Sequence, residues 1–328
     1  MKRFKNILLF YDGKVGTDAA LARAQTLARS NGARLTIVEV IERIPGDLLS
    51  LLGPLTRDEL DHQERYIAER KAQLERLALS LCEDGLTVGS EVLRGTPFLE
   101  VIRKVLRDDH DLVVMTADSR KGLREVTFGS TSMHLMRKCP CPVWVMNPKA
   151  GRRFQHILAA VDPPVAATAN KELDVKILQL ASSLSRMEGC ELEVLHAWEL
   201  TGRDLDTSRS EITDRIKSDL ITRNKEIHQG AVDRLLADVD LSGTEPNINL
   251  PRGEPWAIIP RFAREQAVDL IVMGTVTRTG IAGFFMGDTA EHVLQQVDCS
   301  VLAIKPEGFQ TPVKLEDSEQ PSEVSRAV

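Results

Sequence analysis

The sequence predicts an α/β protein built from two copies of one domain, each with a parallel, doubly wound sheet flanked by helices. Its 328 residues are about two domains' worth of chain. Segments of the first half recur in the same order in the second half. Within each half, short apolar runs alternate with longer amphipathic stretches, which is the pattern of strands and crossover helices in a parallel sheet.

Four segments carry the internal repeat, and their order and spacing indicate a duplicated domain. Residues 4–12 match 154–162, 32–40 match 189–197, 93–116 match 251–274, and 128–148 match 286–306. The spacing is the same in the last two pairs, so that Gly95 falls on Gly253 and Cys141 on Cys299. We therefore predict domains at 1–148 and 149–306. A polar, acidic tail at 307–328 follows them and is expected to be partly disordered.

Five short runs in the first half have the composition of strands. They are rich in Val, Ile and Leu, as expected of strands that are buried on both faces of a sheet. In chain order they are ILLFY, LTIVEV, EVLR, LVVM and VWVM.

The stretches between these runs have helical patterns. The first helix is expected to end at Gly32, since glycine is a common C-cap. A long, charged helix is predicted over 58–85, with a counterpart from about Glu211 to Asp238. Pro97 and Pro255 are placed to start the next helix of each half, because proline fits the first helical turn.

The composition excludes several classes of protein. Apolar residues make up 42% and charged residues 27%, which is typical of a soluble globular protein. The formal charge of −6 and the lack of a basic block interleaved with aromatic residues argue against nucleic-acid binding. The N-terminal apolar run is too short for a signal peptide, and no run approaches 18 apolar residues. We therefore expect a cytoplasmic protein with no membrane span.

Neither the spacing of the cysteines nor a search for known catalytic motifs indicates a specific chemical function. The five cysteines show neither disulfide nor zinc spacing, which predicts reduced, buried thiols and no metal centre. For the C-x-C pair of Cys139 and Cys141, packing at the entry to a strand and metal binding both stay open. No G-x-S-x-G, H-E-x-x-H or kinase signature occurs, so the chain is not predicted to be an enzyme.

One loop occurs twice, at 115–131 and at 273–289, each time after the fourth apolar run of its half. In a doubly wound sheet, ligands bind beyond the carboxyl ends of the strands. The next helix is expected to begin near Ser130 or Asp288, and a helix N-terminus attracts phosphate. Neither a Walker A loop nor a G-x-G-x-x-G fingerprint is present, so the loop is a weaker indication of nucleotide binding.

Over 1–306 these repeats and loops resemble the tandem members of the universal stress protein family. The resemblance implies a five-stranded, mostly parallel domain, with a nucleotide pocket in the ATP-binding members of the family. It also implies that the domains associate through their last strands, here 143–146 and 301–305. The two halves would then form an intramolecular pseudo-dimer, and a homodimer of chains is a further possibility.

The family's loop reads G-x₂-G-x₉-G followed by Ser or Thr, and an Asp ending the first strand and a residue ending the second strand contact the nucleoside. Carried over to the first half, the candidate ligand-binding residues are Asp12, Val40, Thr116, Ser119, Gly129, Ser130 and Thr131. In the second half they are Asp162, Ala197, Gly274, Thr277, Arg278, Gly287, Asp288 and Thr289. Arg278 is included because a loop arginine would compensate for lost phosphate contacts.

Both loops depart from the family pattern. Thr116 and Ser119 in the first loop and Thr277 in the second stand at glycine positions, where a Cβ restricts the backbone. Asp288 stands at the phosphate-contacting Ser or Thr, and like charges in a partly desolvated cleft repel. We therefore expect weakened binding of ATP or another adenine nucleotide.

The sequence favours a non-enzymatic stress-response protein with degenerate nucleotide pockets, acting through a small-molecule ligand or a protein partner. One alternative is an ATP- or ADP-binding switch, with weak hydrolysis of ATP left open. A second is a carrier of small or lipid-like molecules, which the apolar segment 281–287 would suit. A third is a scaffold that binds only proteins.

Two further pairs recur and have both a structural and a functional interpretation. His134 and His292 lie on the helix after the loop, either as ligand-facing groups or as structural polar contacts. Arg94 and Arg252 precede the glycine of the turn that leads into the fourth helix, either near an anionic ligand or as turn residues in solvent.

Overall fold

The computed structural model of the chain describes residues 3–13, 16–42, 57–83, 85–119, 126–151, 153–166, 170–200, 214–275 and 286–315.

The first half alternates strands and helices as predicted. Its elements are β1 (Asn6–Phe10), α1 (Thr17–Asn31), β2 (Arg34–Ile41), α2 (Arg57–Glu83), β3 (Val88–Arg94), α3 (Pro97–Asp108), β4 (Leu112–Thr116), β5 (Asp118–Ser119), β6 (Val126–Thr127), α4 (Ser130–Lys138) and β7 (Val143–Met146). The expected starts of α3 at Pro97 and of α4 at Ser130 are confirmed. Gly32 ends α1 in the left-handed conformation, with φ of 61°.

The second half repeats this order. Its elements are β8 (His156–Ala160), α5 (Glu172–Glu188), β9 (Glu191–Leu195), α6 (Asp214–Ala237), β10 (Asn247–Asn249), α7 (Pro255–Glu265), β11 (Leu270–Gly274), α8 (Asp288–Leu294) and β12 (Ser300–Ile304). As in the first half, the helices after the turn and after the repeated loop begin where the sequence predicts, at Pro255 and Asp288.

One continuous sheet of ten strands runs through both halves, in the order β10-β9-β8-β11-β12-β7-β4-β1-β2-β3. Neighbouring strands within each half are parallel. The halves join through β7 and β12, which pair antiparallel with Trp144 opposite Leu302. The last strands of the two halves therefore meet within one chain. Strand order reverses between β1 and β4 and between β8 and β11, which places a ligand cleft in each half.

Helices cover both faces of the sheet, and each face has its own apolar core. Buried side chains of α1, α2, α5 and α6 pack on one face. Those of α3, α4, α7 and α8 pack on the other. Both cores contain residues of both halves, so the junction at β7 and β12 lies inside continuous hydrophobic packing.

Two buried basic side chains link the halves. Arg23 on α1 forms an ion pair with Glu188 on α5, and its guanidinium lies 4.1 Å from the ring centre of Phe154. Lys305, just after β12, donates to the carbonyl oxygen of Met136 on α4 and to Oγ1 of Thr275. Burial lowers the pKa of Lys305 to about 7.

The structure differs from the sequence-based expectations for the order of the tail and the burial of the cysteines. The tail is described as far as residue 315, and Val313 is buried in the core that contains α3 and α4. Residues 316–328 lie outside the described residues. All five cysteines are free, but only Cys139 and Cys141 are buried as expected. Cys190 and Cys299 are half-buried, and Cys82 is exposed near the end of α2. Among the described helices, none is long and apolar enough to cross a membrane.

Candidate functional site

The two clefts at the reversals of strand order contain the described residues that the sequence selected. The first lies at the carboxyl ends of β1 and β4, and the second at those of β8 and β11. In each half, charged or polar groups of the chain lie close to the candidate residues, and these groups differ between the halves.

In the first cleft, Asp12 is tied to the start of α1. Its Oδ1 accepts a hydrogen bond of 2.9 Å from the buried hydroxyl of Thr17. The neighbouring Gly13 has φ of 66°, and a Cβ there would stand 2.9 Å from the guanidinium of Arg70. The long helix α2 thus reaches over the loop that follows β1.

Arg70 is held in that place by Glu39, which lies beside the candidate Val40 near the end of β2. The guanidinium donates to both carboxylate oxygens of Glu39, at 2.8 Å and 3.0 Å. The hydrogen bond with Glu39 raises the pKa of Arg70. Val40 itself is half-buried against the core. A permanent ion pair therefore stands at the end of the cleft where the family resemblance places a nucleoside.

The glycine positions of the first loop are part of β-structure. Thr116 is the last residue of β4, and its buried Oγ1 has no hydrogen-bond partner among the described residues. Ser119 lies in β5, which pairs with β6 to form a small hairpin. The described backbone at these two positions is therefore extended and paired with neighbouring strands.

The carboxylate of Asp118, in the same hairpin, lies close to the start of α4. The Oδ2 of Asp118 lies 1.7 Å from the point where a Cβ on Gly129 would stand, so a larger residue here would require the Asp118 side chain to move. Gly129 is the N-cap residue of α4, and Ser130 and Thr131 form its first turn. A carboxylate is favourable at a helix N-terminus because of the helix dipole. Asp118 thus lies beside the N-cap residue of α4.

An open cavity of about 500 Å³ adjoins this helix start. Ser130, Thr131 and His134 line it from α4, and Arg94 lines it from the turn after β3. His134 stacks on Phe98, with ring centres 4.2 Å apart. Its Nδ1 is buried without a partner among the described residues, and burial lowers its pKa. Arg94 therefore borders this cavity, next to the start of α4.

In the second cleft, the aspartate after β8 points into solvent. The side chain of Asp162 is 81% exposed, while its backbone N–H donates to Oδ1 of Asp174 at 2.8 Å. Asp174 is buried in the first turn of α5. The backbone at Asp162 is therefore fixed, and Oδ1 of its exposed carboxylate lies 3.8 Å from Nδ1 of His196.

A histidine pair stands at the end of β9, where the first half has Glu39 and Arg70. Nδ1 of His196 lies 3.2 Å from the Val161 carbonyl oxygen, and Nε2 lies 2.8 Å from Nδ1 of His228 on α6. Since a carbonyl only accepts, His196 carries its proton on Nδ1, and in the neutral pair His228 then donates to Nε2. Trp198 stacks on His228 at 5.5 Å. The candidate Ala197, between His196 and Trp198 in sequence, is buried.

The second loop keeps Gly274, and the structure gives it a packing role. A Cβ there would stand 2.9 Å from Cδ2 of Leu173 on α5. Gly287 donates its backbone N–H to the Thr275 carbonyl oxygen at 3.2 Å. Thr277 and Arg278 lie outside the described residues.

The last helix of the second half begins with an acid. Asp288 is the exposed first residue of α8, and Thr289 follows it, half-buried. The Asp288 carbonyl oxygen accepts a hydrogen bond of 2.7 Å from Nδ1 of His292. His292 thus has a structural polar contact, whereas its counterpart His134 borders a cavity. In the described parts of the chain, no three His, Cys, Asp or Glu side chains are grouped to hold a metal ion.

Sequence reasoning missed the charged and polar groups that fill these clefts: Glu39, Arg70, Asp118, His196 and His228. One signal was available, because the aligned segments LTIVEV and LEVLHA place a histidine opposite Glu39. Asp118 lies inside the repeated loop that the sequence places at the cleft, but its contact with Gly129 depends on the hairpin of β5 and β6. Nothing in the sequence indicates that Arg70 lies in the first cleft, since the long helix α2 brings it there.

Comparison with known proteins agrees with this architecture. The model of the Universal stress protein family matches residues 3–147 and again 153–305. Universal stress protein E of Salmonella typhi is 29% identical over 324 residues, which cover 97% of this chain and 100% of that protein.

Two solved structures share the fold. A functionally unknown protein from Pseudomonas aeruginosa PAO1 has a TM-score of 0.70 at 22% identity, over 94% of this chain and 95% of that chain. A universal stress protein from Archaeoglobus fulgidus has a TM-score of 0.59 at 18% identity, over 92% and 98% of the two chains. Because the family matches span both halves of the duplicated sheet, the chain belongs to the universal stress protein family as a tandem, two-domain member.

Proposed function

We propose that this chain is a non-enzymatic stress-response protein whose two clefts no longer bind adenine nucleotides tightly, and which acts through another ligand or a protein partner. Membership in the universal stress protein family supports the role in the stress response. The loss of tight nucleotide binding rests on what the clefts contain.

The observation that carries the proposal is the Asp118 carboxylate against Gly129 at the start of α4. A phosphate group there would meet a fixed negative charge and the space would already be filled. In the second half, Leu173 packs on Gly274 and Asp288 starts α8, so steric and electrostatic obstacles occur together. The two halves have thus closed the phosphate position in different ways.

Equilibrium dialysis with Mg-ATP tests the proposal. We expect no saturable binding at micromolar ATP by the native chain. Asp118→Ser is expected to strengthen ATP binding at least about tenfold, which corresponds to about 1.4 kcal/mol, because it removes a like charge. Asp109→Ser is the matched control, since it removes the same charge from the exposed end of α3. Stoichiometric ATP carried through gel filtration by the native chain would contradict the proposal.

A nucleotide-binding switch remains the second candidate, and one observation favours it. The cavity of about 500 Å³ in the first half combines Arg94 with the hydroxyls of Ser130 and Thr131, while the Arg103 in its lining is paired with Glu100. Such a lining suits an anionic small molecule. If this candidate is right, the native chain binds ATP and Arg94→Met weakens that binding, whereas Asp118→Ser leaves it unchanged.

A further inference from the structure

Two buried thiols lie at the amino ends of the strands of the first half, at the opposite edge of the sheet from the clefts. Cys139 directly follows α4 and Cys141 precedes β7, and their Sγ atoms are 3.6 Å apart. Both side chains are buried, and Cys141 lines a cavity of about 630 Å³. A reagent that enters this cavity therefore meets the Cys141 thiol, and the fully buried Cys139 thiol lies directly behind it.

The separation of the sulfur atoms suits chelation by one central atom. Two sulfurs on a tetrahedral centre stand about 3.8 Å apart when the metal–sulfur bonds are about 2.3 Å. A disulfide requires a separation of about 2 Å, so both sulfurs would have to move in a close-packed environment. The observed distance of 3.6 Å is thus close to that of a chelate.

The protonation of Cys141, together with the few ligands near the two sulfurs, selects the kind of central atom. The hydrogen bond with Cys139, together with burial, raises the pKa of the Cys141 thiol well above its usual value. A metal dication binds thiolates and must displace their protons. The described residues also offer no group of three ligands for a metal ion. A neutral trivalent arsenical avoids both difficulties, because it condenses with two protonated thiols and needs no third protein ligand.

The cavity provides room for the organic substituent of such a compound. Phe4, Val105, Leu106 and Leu180 form the apolar part of the lining near Cys141. Charged side chains, among them Arg3, Asp111 and Lys176, form much of the rest. Transfer of an aromatic ring from water to the apolar part is favourable, at roughly 25 cal/mol per Å² of apolar surface. The cavity thus suits an arsenical with an apolar group.

The second half provides an internal comparison. The positions that match Cys139 and Cys141 are occupied by Val297 and Cys299, which line a smaller cavity of about 280 Å³. The fold therefore accepts a valine in place of the first thiol. Since only the first half has both thiols, the pair is not a packing requirement of the domain.

The geometry points to Cys139 and Cys141 as a dithiol binding site for a neutral trivalent arsenical with an apolar substituent. For phenylarsine oxide, two S–H bonds and the arsenic–oxygen bond break and two arsenic–sulfur bonds form. Both protons leave with the oxygen as one water molecule, and neither arsenic nor sulfur is oxidised or reduced. The product is a ring that joins the two sulfurs through arsenic, with the phenyl group in the cavity.

Intact-mass spectrometry of the native, full-length chain with phenylarsine oxide tests this site. We expect one adduct per chain that survives excess glutathione and is removed by dimercaptopropanol, because only a dithiol competes with a chelate. Peptide mapping should place the adduct on Cys139 and Cys141. The adduct should also raise the Tm, since a ligand that binds the folded state stabilises it.

Three variants make the test specific. Cys139→Val reproduces the arrangement of Val297 and Cys299, so it is expected to fold and to lose the glutathione-resistant adduct. Cys141→Ser should lose the adduct as well, whereas Cys299→Ser should keep it fully. The proposal is overturned if the native chain retains no adduct, if Cys139→Val retains one, or if the adduct forms only with a lowered Tm.

Discussion

The Glu39 carboxylate and the Arg70 guanidinium meet in a two-pronged ion pair near the end of β2, with nitrogen–oxygen distances of 2.8 Å and 3.0 Å. At the matching place in the second half, His196 and His228 form a hydrogen bond of 2.8 Å. The duplicated fold thus keeps a polar bridge from the second strand to the long helix while its chemistry has changed. One bridge consists of permanent charges, and the other depends on the position of a proton.

Arg70→Met is expected to lower the free energy of unfolding by about 2 kcal/mol. The substitution leaves the Glu39 side chain, which is 8% exposed, without its partner. We expect less than the 3–5 kcal/mol typical of a fully buried pair, because the Arg70 side chain is 22% exposed. Urea denaturation measures the change. Lys71→Met, at an exposed position of the same helix, is the control, and an equal effect of both substitutions would contradict the prediction.

Arg23→Met should lower the free energy of unfolding by about 3–5 kcal/mol. The side chains of Arg23 and Glu188 are only 3% and 5% exposed, so the substitution leaves a buried carboxylate without its ion-pair partner. The double variant Arg23→Met/Glu188→Met removes both charges and should recover much of the loss. Glu188 also accepts the backbone N–H of Phe154, so the recovery will be incomplete. A double-mutant cycle by urea denaturation checks this, and simple additivity of the two substitutions would refute it.

Lys305→Met tests how one buried amine changes the pH dependence of the free energy of unfolding. Because the pKa of Lys305 is about 7 in the folded chain and 10.5 is its usual value, the unfolded chain binds more protons between these pH values. The contribution of Lys305 to stability should therefore rise with pH in this window, by about 1.4 kcal/mol per pH unit, and level off below pH 7. The difference in unfolding free energy between native chain and variant, measured from pH 6 to 9, should show this slope. The exposed Lys314→Met is the control, and parallel stability curves for native chain and Lys305→Met would rule the prediction out.

Gly16→Ala tests a close approach between the start of α1 and Pro148, which follows β7. Gly16 has φ of 95°, and a Cβ there would stand 2.3 Å from Cβ of Pro148. Backbone strain of about 1–2 kcal/mol and overpacking of about 1–3 kcal/mol should add. Gly189→Ala is matched to it, since φ is 68° and nothing lies within 4 Å, so that only the strain is expected. Thermal unfolding that ranks the two variants equally would count against the close approach.

The fold was predictable because local and repeated signals agree with it. The apolar runs, the duplicated segments, and the prolines at 97 and 255 each depend on a few neighbouring residues. The contents of the clefts were not predictable in the same way. Asp118 meets Gly129 only because a hairpin folds back on α4, and Arg70 reaches Gly13 only through the placement of a long helix.

Glycine was the least reliable guide to function. Gly129 and Gly274 match family positions for phosphate binding, yet one accommodates a carboxylate of the chain and the other the side chain of Leu173. Both residues are glycines for a steric reason, which sequence alone cannot distinguish from close approach to a ligand.

The antiparallel junction of β7 and β12 also constrains how the protein is made. The ribosome completes β7 at residue 146 and reaches β12 only at residues 300–304. At about 5–20 residues per second, the first half waits roughly 10–30 s with one side of β7 unpaired. During synthesis, this apolar edge is a template on which another nascent first half would pair. The short segment between β7 and β8 counters that exchange. It holds β12 of the same chain near β7, so the local concentration of the correct strand is high once translation ends.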